Sequence, residues 1–574
     1  MRNKELSKIF YQIADFLEMD EIAFKPYAYR KAAESLSNLK EDIFDIYKNG
    51  GNKSLQEIEG VGKNIADHIE EYLKTEKIKI YQQYKKRLPL KMDELSRVEG
   101  MGPRKLKILY EKLKIKNLKD LEKAARSGKI APLFGFGKKT EKNILQGIEF
   151  QKNNKGRMLL GEILPQAENI VEKLKNLKEV KQISLAGSLR RKKETIGDVD
   201  ILVVSKKPKV VMDFFVSLDD IEKVWANGPT KSSIRVKAGF DIDLRIISEK
   251  SYGSALQYFT GSKEHNIATR KIAIEKGLKL SEYGLFKNEK YIAGKTEKEI
   301  YKNLGMQWVS PEIREDQGEL EASFDNKLPE LVELKDIKGD LHCHSDWNGG
   351  KNSIEEMAQE AIKMGYEYIG ISDHTKFLRI ENGLDEKKLL QQIAKIKELN
   401  KKFQISNFKF QILSGCEANI LNDGSIDIKD EVLEKLDYVI AGIHSNLKMP
   451  KKEMTERLIK AMKNKNVDIV SHPTGRILNK RDEYQLDFDK ILQTVKETGT
   501  ILEINSSPDR LDLNSLNIRR AKESGIKMII NTDAHQKEQL TQIKFGVFQA
   551  RRGWAEKSDI INTNSVEKLL KYFK

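Results

Sequence analysis

Two aspartates at strand spacing, Asp198 and Asp200, constrain this chain more strongly than any other feature. They follow Gly187-Ser188 and a basic cluster, and they lead directly into the apolar run 201–204. Side chains at positions i and i+2 of a strand point to the same face, so the two carboxylates project together. Because adjacent carboxylates repel each other, the pair indicates a bound cation such as Mg²⁺ with substrate phosphates, in preference to a solvated strand end.

A second alternating stretch, residues 240–247, adds Asp243 to this pair. Two-metal phosphoryl transfer requires carboxylates that hold two ions about 3.5–4 Å apart. Asp198, Asp200 and Asp243 could supply that site, and the upstream Gly-Ser pair and arginines could hold the rest of the substrate. The motifs therefore predict a nucleotidyltransferase.

A Gly-hydrophobic-Gly turn occurs three times in the first 150 residues, between predicted helices. Glycines allow the tight turn, and the backbone N–H groups of the next helix can face a DNA phosphate. One copy could be a plain turn, but residues 1–300 carry 60 Lys/Arg against 43 Asp/Glu, whereas residues 301–574 carry 43 against 44. Three copies in a basic region predict sequence-independent DNA binding. The turns are Gly60, Val61, Gly62; Gly100, Met101, Gly102; and Gly135, Phe136, Gly137.

Six of the eight histidines lie beyond residue 339, each at or just after an apolar run. These runs alternate with helical segments, which predicts parallel strands closed into a barrel with function at their C-terminal ends. Histidine and carboxylate sets suit Zn²⁺ or Mn²⁺, and several such ions suit phosphoester hydrolysis. The predicted ligands of two or three ions are His342, His344, His374, Glu417, His444, His472, Asp533 and His535.

The segment between these regions is acidic, since residues 311–340 carry ten acidic and four basic residues. This composition predicts a surface linker at 311–336. The two cysteines, Cys343 and Cys416, cannot form a disulfide framework, which favours the reducing cytoplasm. No run approaches the roughly 18 apolar residues of a membrane helix.

On these motifs, essentially the whole chain resembles the bacterial family X DNA polymerases, which join a DNA polymerase beta-like core to a C-terminal PHP domain. The resemblance implies a multidomain α+β and α/β fold: a helical helix-hairpin-helix region, a nucleotidyltransferase palm with a small α/β subdomain, and a distorted (β/α)7 PHP barrel. The expected domains are 1–85 (helical, DNA-binding), 86–150 (helix-hairpin-helix, duplex-binding), 151–250 (palm), 251–310 (nascent-base-pair subdomain), 311–336 (linker) and 337–574 (PHP).

The resemblance also implies residue roles. Asp198, Asp200 and Asp243 match the polymerase metal ligands, for Mg²⁺ or Mn²⁺. The nucleotide-binding set comprises a triphosphate-binding segment (Gly187, Ser188, Arg191, Gly197), a sugar-sensing turn (Tyr258, Phe259, Gly261) and Asn266 at the nascent base pair. Besides the glycine turns, the expected DNA contacts include Arg270 and Lys25. From the residues alone, the Tyr-Phe pair could equally be core packing.

Two departures from the family pattern affect these expectations. The aspartate of the first PHP metal segment is Gly349 here, so either Asp346 replaces it or one metal site is weakened. His68 occupies the place of the lysine that forms a Schiff base in beta-type enzymes, so lyase activity is not expected unless Lys25 or Lys63 provides the amine.

The expected function is template-directed gap filling on DNA in repair, with a metal-dependent 3′→5′ exonuclease in the PHP domain. DNA and dNTPs are the expected partners, and the chain is expected to be a monomer without a membrane association. One alternative is a DNA-end-processing phosphodiesterase with a DNA-binding N-terminal half, which would shorten primers without extending them. Another is a non-catalytic repair scaffold, which would bind gapped DNA without turnover.

Overall fold

The computed structural model describes residues 2–39, 41–96, 98, 101–153, 157–378, 381–405 and 410–573. Two compact units are present, Met1–Lys155 with Asn479–Arg481, and Gly156–Leu478 with Asp482–Lys574. Gly100, a predicted DNA contact, lies outside the described residues. None of the described helices combines the length and apolarity that crossing a membrane requires.

The first unit is helical throughout its described part. Residues at helical spacing on its first helix, Phe10, Ile13, Phe16 and Leu17, are buried in one core, as their period predicts. Its helices are α1 (Arg2–Met19), α2 (Lys25–Asn38), α3 (Ile43–Gln56), α4 (Lys63–Thr75), α5 (Lys79–Arg87), α6 (Met92–Leu95), α7 (Pro103–Leu113), α8 (Leu118–Arg126) and α9 (Lys138–Asn153).

The second unit begins with the predicted palm, a five-stranded sheet in the order β2-β4-β7-β6-β5. Strands β4 and β7 run parallel, and the other neighbouring pairs run antiparallel. The elements are β1 (Met158–Leu159), α10 (Leu160–Lys175), β2 (Val180–Leu185), α11 (Gly187–Arg190), β3 (Thr195–Ile196), β4 (Asp198–Ser205), α12 (Pro208–Val216), β5 (Ile221–Asn227), β6 (Lys231–Val236) and β7 (Asp241–Ile246).

A smaller subdomain follows, built from helices and a three-stranded antiparallel sheet in the order β10-β9-β8. Its buried side chains form a separate core that extends to Ile313 and Leu320. The elements are α13 (Tyr252–Thr260), α14 (Lys263–Glu275), β8 (Lys279–Ser281), β9 (Gly284–Lys287), β10 (Lys290–Ala293), α15 (Glu297–Asn303) and α16 (Glu319–Phe324).

The first part of the acidic segment, residues 311–324, is part of this subdomain, so the expectation of a surface linker is wrong there. Arg314 is fully buried, donates to the carbonyl oxygen of Val309 at 2.8 Å and pairs with Glu297 at 2.7 Å. Glu319 is also fully buried, 2.6 Å from the ring of His265. The negative composition is misleading because several of these acids pair with basic groups elsewhere in the unit, such as Glu312 with Arg551 at 2.9 Å and Glu315 with Arg191 at 3.2 Å. The remaining domain boundaries stay predictions.

The predicted PHP region contains two parallel sheets, β11-β12-β13 and β14-β15-β16-β17-β18. Parallel bridges Cys343–Ala534 and His374–Glu417 connect them, whereas the closed (β/α)7 barrel stays a prediction. The elements are β11 (Gly339–Asp340), α17 (Ile354–Lys363), β12 (Tyr368–Ile371), α18 (Glu386–Ile405), β13 (Gln411–Ser414), β14 (Glu417–Asn419), α19 (Asp430–Leu433), β15 (Ile440–Gly442), α20 (Lys451–Met462), β16 (Ile469–Val470), α21 (Phe488–Thr498), β17 (Ile501–Asn505), α22 (Ser515–Glu523), β18 (Met528–Asn531), α23 (Ile543–Arg552) and α24 (Val566–Leu569).

The palm and the PHP region share a hydrophobic core. Leu511 and Phe545, which lie beyond residue 500, are buried together with the palm residues of α10, β4 and β7. The approach is so close that a Cβ on Gly161 would lie 2.4 Å from Pro508. Glu194 of the palm also accepts a hydrogen bond from Arg476 at 2.7 Å. Apolar burial of this kind is worth roughly 1.5–3 kcal/mol per large side chain.

Candidate active sites

The three predicted catalytic aspartates lie side by side at one end of the palm sheet. The parallel register of β4 and β7 pairs Asp200 with Asp243 and Asp198 with Asp241. The alternation of each strand places these carboxylates on one face. The structure therefore brings Asp198, Asp200 and Asp243 together as the sequence predicts.

Basic side chains only partly offset this negative cluster. Lys231 lies 2.6 Å from Asp243, which also accepts a 2.5 Å hydrogen bond from Ser233. Burial raises the pKa of Asp200 to about 6, and the carboxylates of Asp198 and Asp243 raise it as well. A half-buried carboxylate between two others fits a divalent cation, because oxygen-rich sites of this kind suit Mg²⁺ or Mn²⁺.

We expect Asp200→Asn to raise the free energy of unfolding of the metal-free protein by about 1–2 kcal/mol near pH 7.5. The expected gain is this small because Asp200 is partly exposed and solvent screens its charge. The pKa of Asp200 in the folded protein, about 6, exceeds its unfolded value. The charge on Asp200 therefore lowers the free energy of unfolding of the wild type, progressively as the pH rises from the unfolded pKa to about 6 and in full above that pH. Thermal melts of the wild type and the variant in EDTA, at pH 7.5 and 5.0, measure this difference in stability. The advantage should shrink at pH 5.0, and a lower melting temperature of the variant at pH 7.5 would contradict the prediction.

The Gly187-Ser188 turn adjoins Asp200, which explains its glycine. Gly187 has φ 62°, and a Cβ there would lie 2.6 Å from Asp200 Oδ2. Ser188 and Arg191 line a polar cavity of about 560 Å³, whose opposite wall includes Asn514 and Arg552. Gly187 of the predicted triphosphate-binding segment thus lies against Asp200, and Ser188 and Arg191 border an open space.

The predicted sugar-sensing turn lies close to the same region. Arg191 donates to the carbonyl oxygen of Thr260, and its Nη1 lies 3.0 Å from the point where a Cβ on Gly261 would stand. Arg245, two residues after Asp243, stacks on Phe259 at 4.7 Å from the ring centroid. These contacts connect the turn to Arg191 and to β7, the strand that carries Asp243.

The remaining subdomain residues cluster on α14. Asn266 donates to the carbonyl oxygen of Tyr258 at 2.7 Å, and Arg270 lies 5.1 Å from the Tyr258 ring centroid. Gly197 precedes β4, and a Cβ on it would lie 3.2 Å from Arg157. The structure therefore groups Tyr258, Asn266 and Arg270, which the sequence predicts for the nascent base pair and template.

In the first unit, the three glycine turns each begin a helix, as predicted. Gly62 and Gly102 are the N-caps of α4 and α7, and Gly137 precedes α9. Gly60, Gly135 and Gly137 have positive φ, which a side chain would strain. Val61 and Met101 are buried, Phe136 packs against the core, and the amides of all three donate to carbonyl oxygens three residues earlier, so the amides at the starts of the following helices are left as the groups that could meet phosphate. Lys25 is exposed at the start of α2.

The eight predicted metal ligands converge at one end of the parallel strands, where seven of them follow the last residue of a strand and Glu417 lies between β13 and the rest of β14. The centre is Glu417, fully buried at the start of β14. One of its oxygens lies 2.8 Å from His374, and the other lies 3.0 Å from His472 and 3.1 Å from His444. The rest of the set surrounds Asp533, which lies 3.5 Å from His342, 3.3 Å from His344 and 3.8 Å from His535.

The chemistry of this set fits divalent cations. Among the described residues, several buried ring and carboxylate atoms here have no hydrogen-bond partner, including His342 Nε2, both His344 nitrogens and Glu417 Oε2. Burial alone would raise the pKa of Glu417, yet the rings of His342 and neighbouring histidines hold the pKa well below its usual range. Asp533 has φ 60° and His472 φ 29°, a strained conformation that is typical of functional sites.

Two supporting residues were not predicted. Glu503, on β17, accepts from His342 Nδ1 at 2.7 Å, and Asn419 accepts from His444 Nδ1 at 2.8 Å. Both contacts leave Nε2 of the ring free to face the site, as in other histidine metal centres. Glu503 lies in the middle of an apolar strand, where a carboxylate is costly to bury without a partner. Its position in this run could therefore have identified it as a functional residue.

Family models match along the chain. They are a helix-hairpin-helix domain at residues 1–78, a SAM-like helix-hairpin-helix tandem at 92–149, the DNA polymerase beta thumb at 255–315 and the PHP domain at 340–507. The thumb match overlaps the predicted nascent-base-pair subdomain, and the PHP match begins at the first parallel strand. Both halves of the predicted architecture therefore have a family counterpart.

Curated relatives extend these matches. The DNA polymerase/3'-5' exonuclease PolX of Bacillus subtilis (strain 168) is 37% identical over 582 residues, 100% of either chain. A probable phosphatase of Thermoanaerobacter sp. (strain X514) is 30% identical over 246 residues, 41% of this chain and 94% of the relative. A structure of Leishmania infantum polymerase beta in a ternary complex is 26% identical over 39% of this chain and 97% of that chain, with a TM-score of 0.26 that supports no structural conclusion.

Proposed function

This chain belongs to the PolX family of bacterial DNA polymerases, and from that membership we propose that it fills gaps in DNA and trims 3′ ends in repair. The observation that carries the proposal is the side-by-side placement of Asp198, Asp200 and Asp243 next to the Gly187-Ser188 turn, in a chain that is similar to PolX over its full length. DNA primer-template and dNTPs are the substrates of such an enzyme.

At the polymerase site, the chain's own residues would position the substrates. Bound Mg²⁺ or Mn²⁺ would activate the primer hydroxyl and stabilise the leaving pyrophosphate. Asp198 and Asp200 would hold both ions, and Asp243 would hold the one on the primer side. Ser188 and Arg191 would bind the triphosphate, for which Arg191 must exchange its present 3.2 Å contact with Glu315.

The turn after α13 would select and orient the incoming nucleotide. Tyr258 and Phe259, whose rings meet edge to face at 5.1 Å, would lie near the sugar, and the absence of a side chain at Gly261 would keep the space beside Arg191 open. Asn266 and Arg270 would reach the nascent base pair and the template. The Gly-hydrophobic-Gly turns would contact phosphates of the flanking strands through their backbone amides.

At the PHP site, two or three Mn²⁺ or Zn²⁺ ions would provide a nucleophilic hydroxide and stabilise the scissile phosphate. The eight ligands would hold them, and Glu417 would contribute both of its oxygens, because these face different histidines. Glu503 and Asn419 would keep His342 and His444 in the tautomer that directs Nε2 to the site. The resulting reaction is hydrolysis of a 3′-terminal phosphodiester.

The oligomeric state and compartment belong to the same proposal. We expect a monomer in a reducing cytoplasm, and the two cysteines are free and buried. Light scattering after size exclusion measures the mass directly.

A gapped-primer assay tests the whole proposal. Wild-type protein with Mn²⁺ or Mg²⁺ should extend a labelled primer across a short gap when dNTPs are present, and should shorten it when they are absent. EDTA should abolish both reactions. Shortening without extension would support the phosphodiesterase alternative, and gap binding without either reaction would support the scaffold alternative.

A further inference from the structure

Seven of the eight predicted PHP ligands fall into three overlapping groups, and one of these groups differs in kind. Within each group the donor atoms lie within 4.8 Å of one another. Two groups contain a carboxylate, from Asp533 and Glu417 respectively, whereas the third consists only of imidazoles. The all-imidazole group is His344, His374 and His535.

The missing aspartate at Gly349 bears on this third group. A Cβ on Gly349 would lie 3.7 Å from the His535 ring. An acidic side chain at 349 would therefore start next to the imidazole group, and glycine leaves that direction without a carboxylate of its own. Asp346, the other acid of the segment, is exposed, and its backbone amide is fixed to Asn352 at 2.9 Å.

Glu381 brings a carboxylate to the same place from a different loop. Its Oε2 lies 2.4 Å from the position of a Cβ on Gly349, the same position that lies 3.7 Å from the His535 ring. Real Cβ atoms essentially never approach another heavy atom within 3.0 Å, so a side chain at 349 would require the flexible end of Glu381 to move away. The space that a substituent at 349 would enter is thus occupied by Glu381.

The loop that carries Glu381 is tied to a metal-ligand segment. The amide of Leu384 donates to the carbonyl oxygen of His374 at 2.7 Å, and Thr375 forms a parallel bridge with Leu384. The amide of Glu381 in turn donates to the carbonyl oxygen of Leu378 at 3.1 Å. The loop therefore returns to the strand end that presents His374, one of the three imidazoles.

We propose that Glu381 is the carboxylate ligand of the all-imidazole group and replaces the aspartate that the family has at position 349. The inference rests on the proposed function, because it requires divalent cations at the PHP site. A carboxylate adds an anionic oxygen to three neutral nitrogens, a donor set that suits Mn²⁺ or Zn²⁺. The third ion position is then complete in this chain.

The test is metal binding by the full-length protein, measured as Mn²⁺ per chain by equilibrium dialysis with elemental analysis. Glu381→Gln should lose about one equivalent, or bind its weakest ion at least about tenfold less tightly, as loss of one ligand requires. Asp346→Asn is the matched control and should bind like wild type. Circular dichroism should show both variants folded.

A relocation of the carboxylate makes the test reciprocal. The double variant Gly349→Asp with Glu381→Ala should regain the lost equivalent, whereas Gly349→Asp alone should not gain an ion, because the new carboxylate and Glu381 would compete for the same place. Wild-type binding by Glu381→Gln, or no recovery in the double variant, would overturn the role of Glu381. Absence of Mn²⁺ binding at the PHP ligands of the wild type would instead remove the metal-dependent nuclease from the proposed function.

Discussion

Asp243→Asn is expected to reduce nucleotide addition by at least about a thousandfold, because a metal-held charge contributes several kcal/mol to phosphoryl transfer. Asparagine keeps the shape of Asp243 but removes the charge that lies in register with Asp200. Exonuclease activity should remain, since its ligands lie on other strands. Single-nucleotide gap filling and primer shortening, measured on the same labelled substrate, separate the two effects.

The control for this variant is Asp213→Asn. Asp213 is an exposed acid of α12 that pairs with Lys209 at 3.0 Å, and surface changes of this kind usually alter stability by less than about 0.5 kcal/mol. It should leave both activities unchanged. Gap filling by Asp243→Asn at more than about a tenth of the wild-type rate would show that Asp243 does not hold a catalytic ion.

Glu417→Gln is expected to abolish primer shortening, again by about a thousandfold or more, and to remove bound ions from the PHP site. Glu417 is the carboxylate on which His374, His444 and His472 converge, at 2.8–3.1 Å. A neutral amide cannot balance the charge of ions between its neighbours. Gap filling should continue, so the readouts are exonuclease rate, gap-filling rate and Mn²⁺ content.

Glu434→Gln provides the comparison within the same region. Glu434 is exposed and pairs with Lys465 at 2.6 Å, away from the histidines. It should retain full exonuclease activity and metal content. If Glu417→Gln instead kept both its ions and its exonuclease activity, hydrolysis would have to occur elsewhere on the chain.

The clustering of residues at both candidate sites could be predicted because it depends on local periodicity. Strand alternation places Asp198 and Asp200 on one face, and the strand-end position of residues such as His444 follows from the repeated strand-helix pattern. The helix starts after Gly62 and Gly102 follow from the glycine turns for the same reason. Each of these inferences needs only the spacing of nearby residues.

Features that depend on long-range packing could not be predicted. The net charge of 311–336 suggests a linker, but Arg314 finds Glu297 only after the subdomain has folded. The partner of His342 is Glu503, 161 residues away. Glu381 approaches Gly349 only because its loop turns back to His374, and no spacing in the sequence encodes that return.

The core that the palm shares with Leu511 and Phe545 affects how this gene can change over generations. A premature stop codon after the thumb would deprive the palm of buried partners and of Arg476, which neutralises Glu194. Such a truncation would cost the organism gap filling as well as trimming. A lineage under pressure to discard the nuclease would therefore keep the C-terminal region and lose only its metal ligands, one codon at a time.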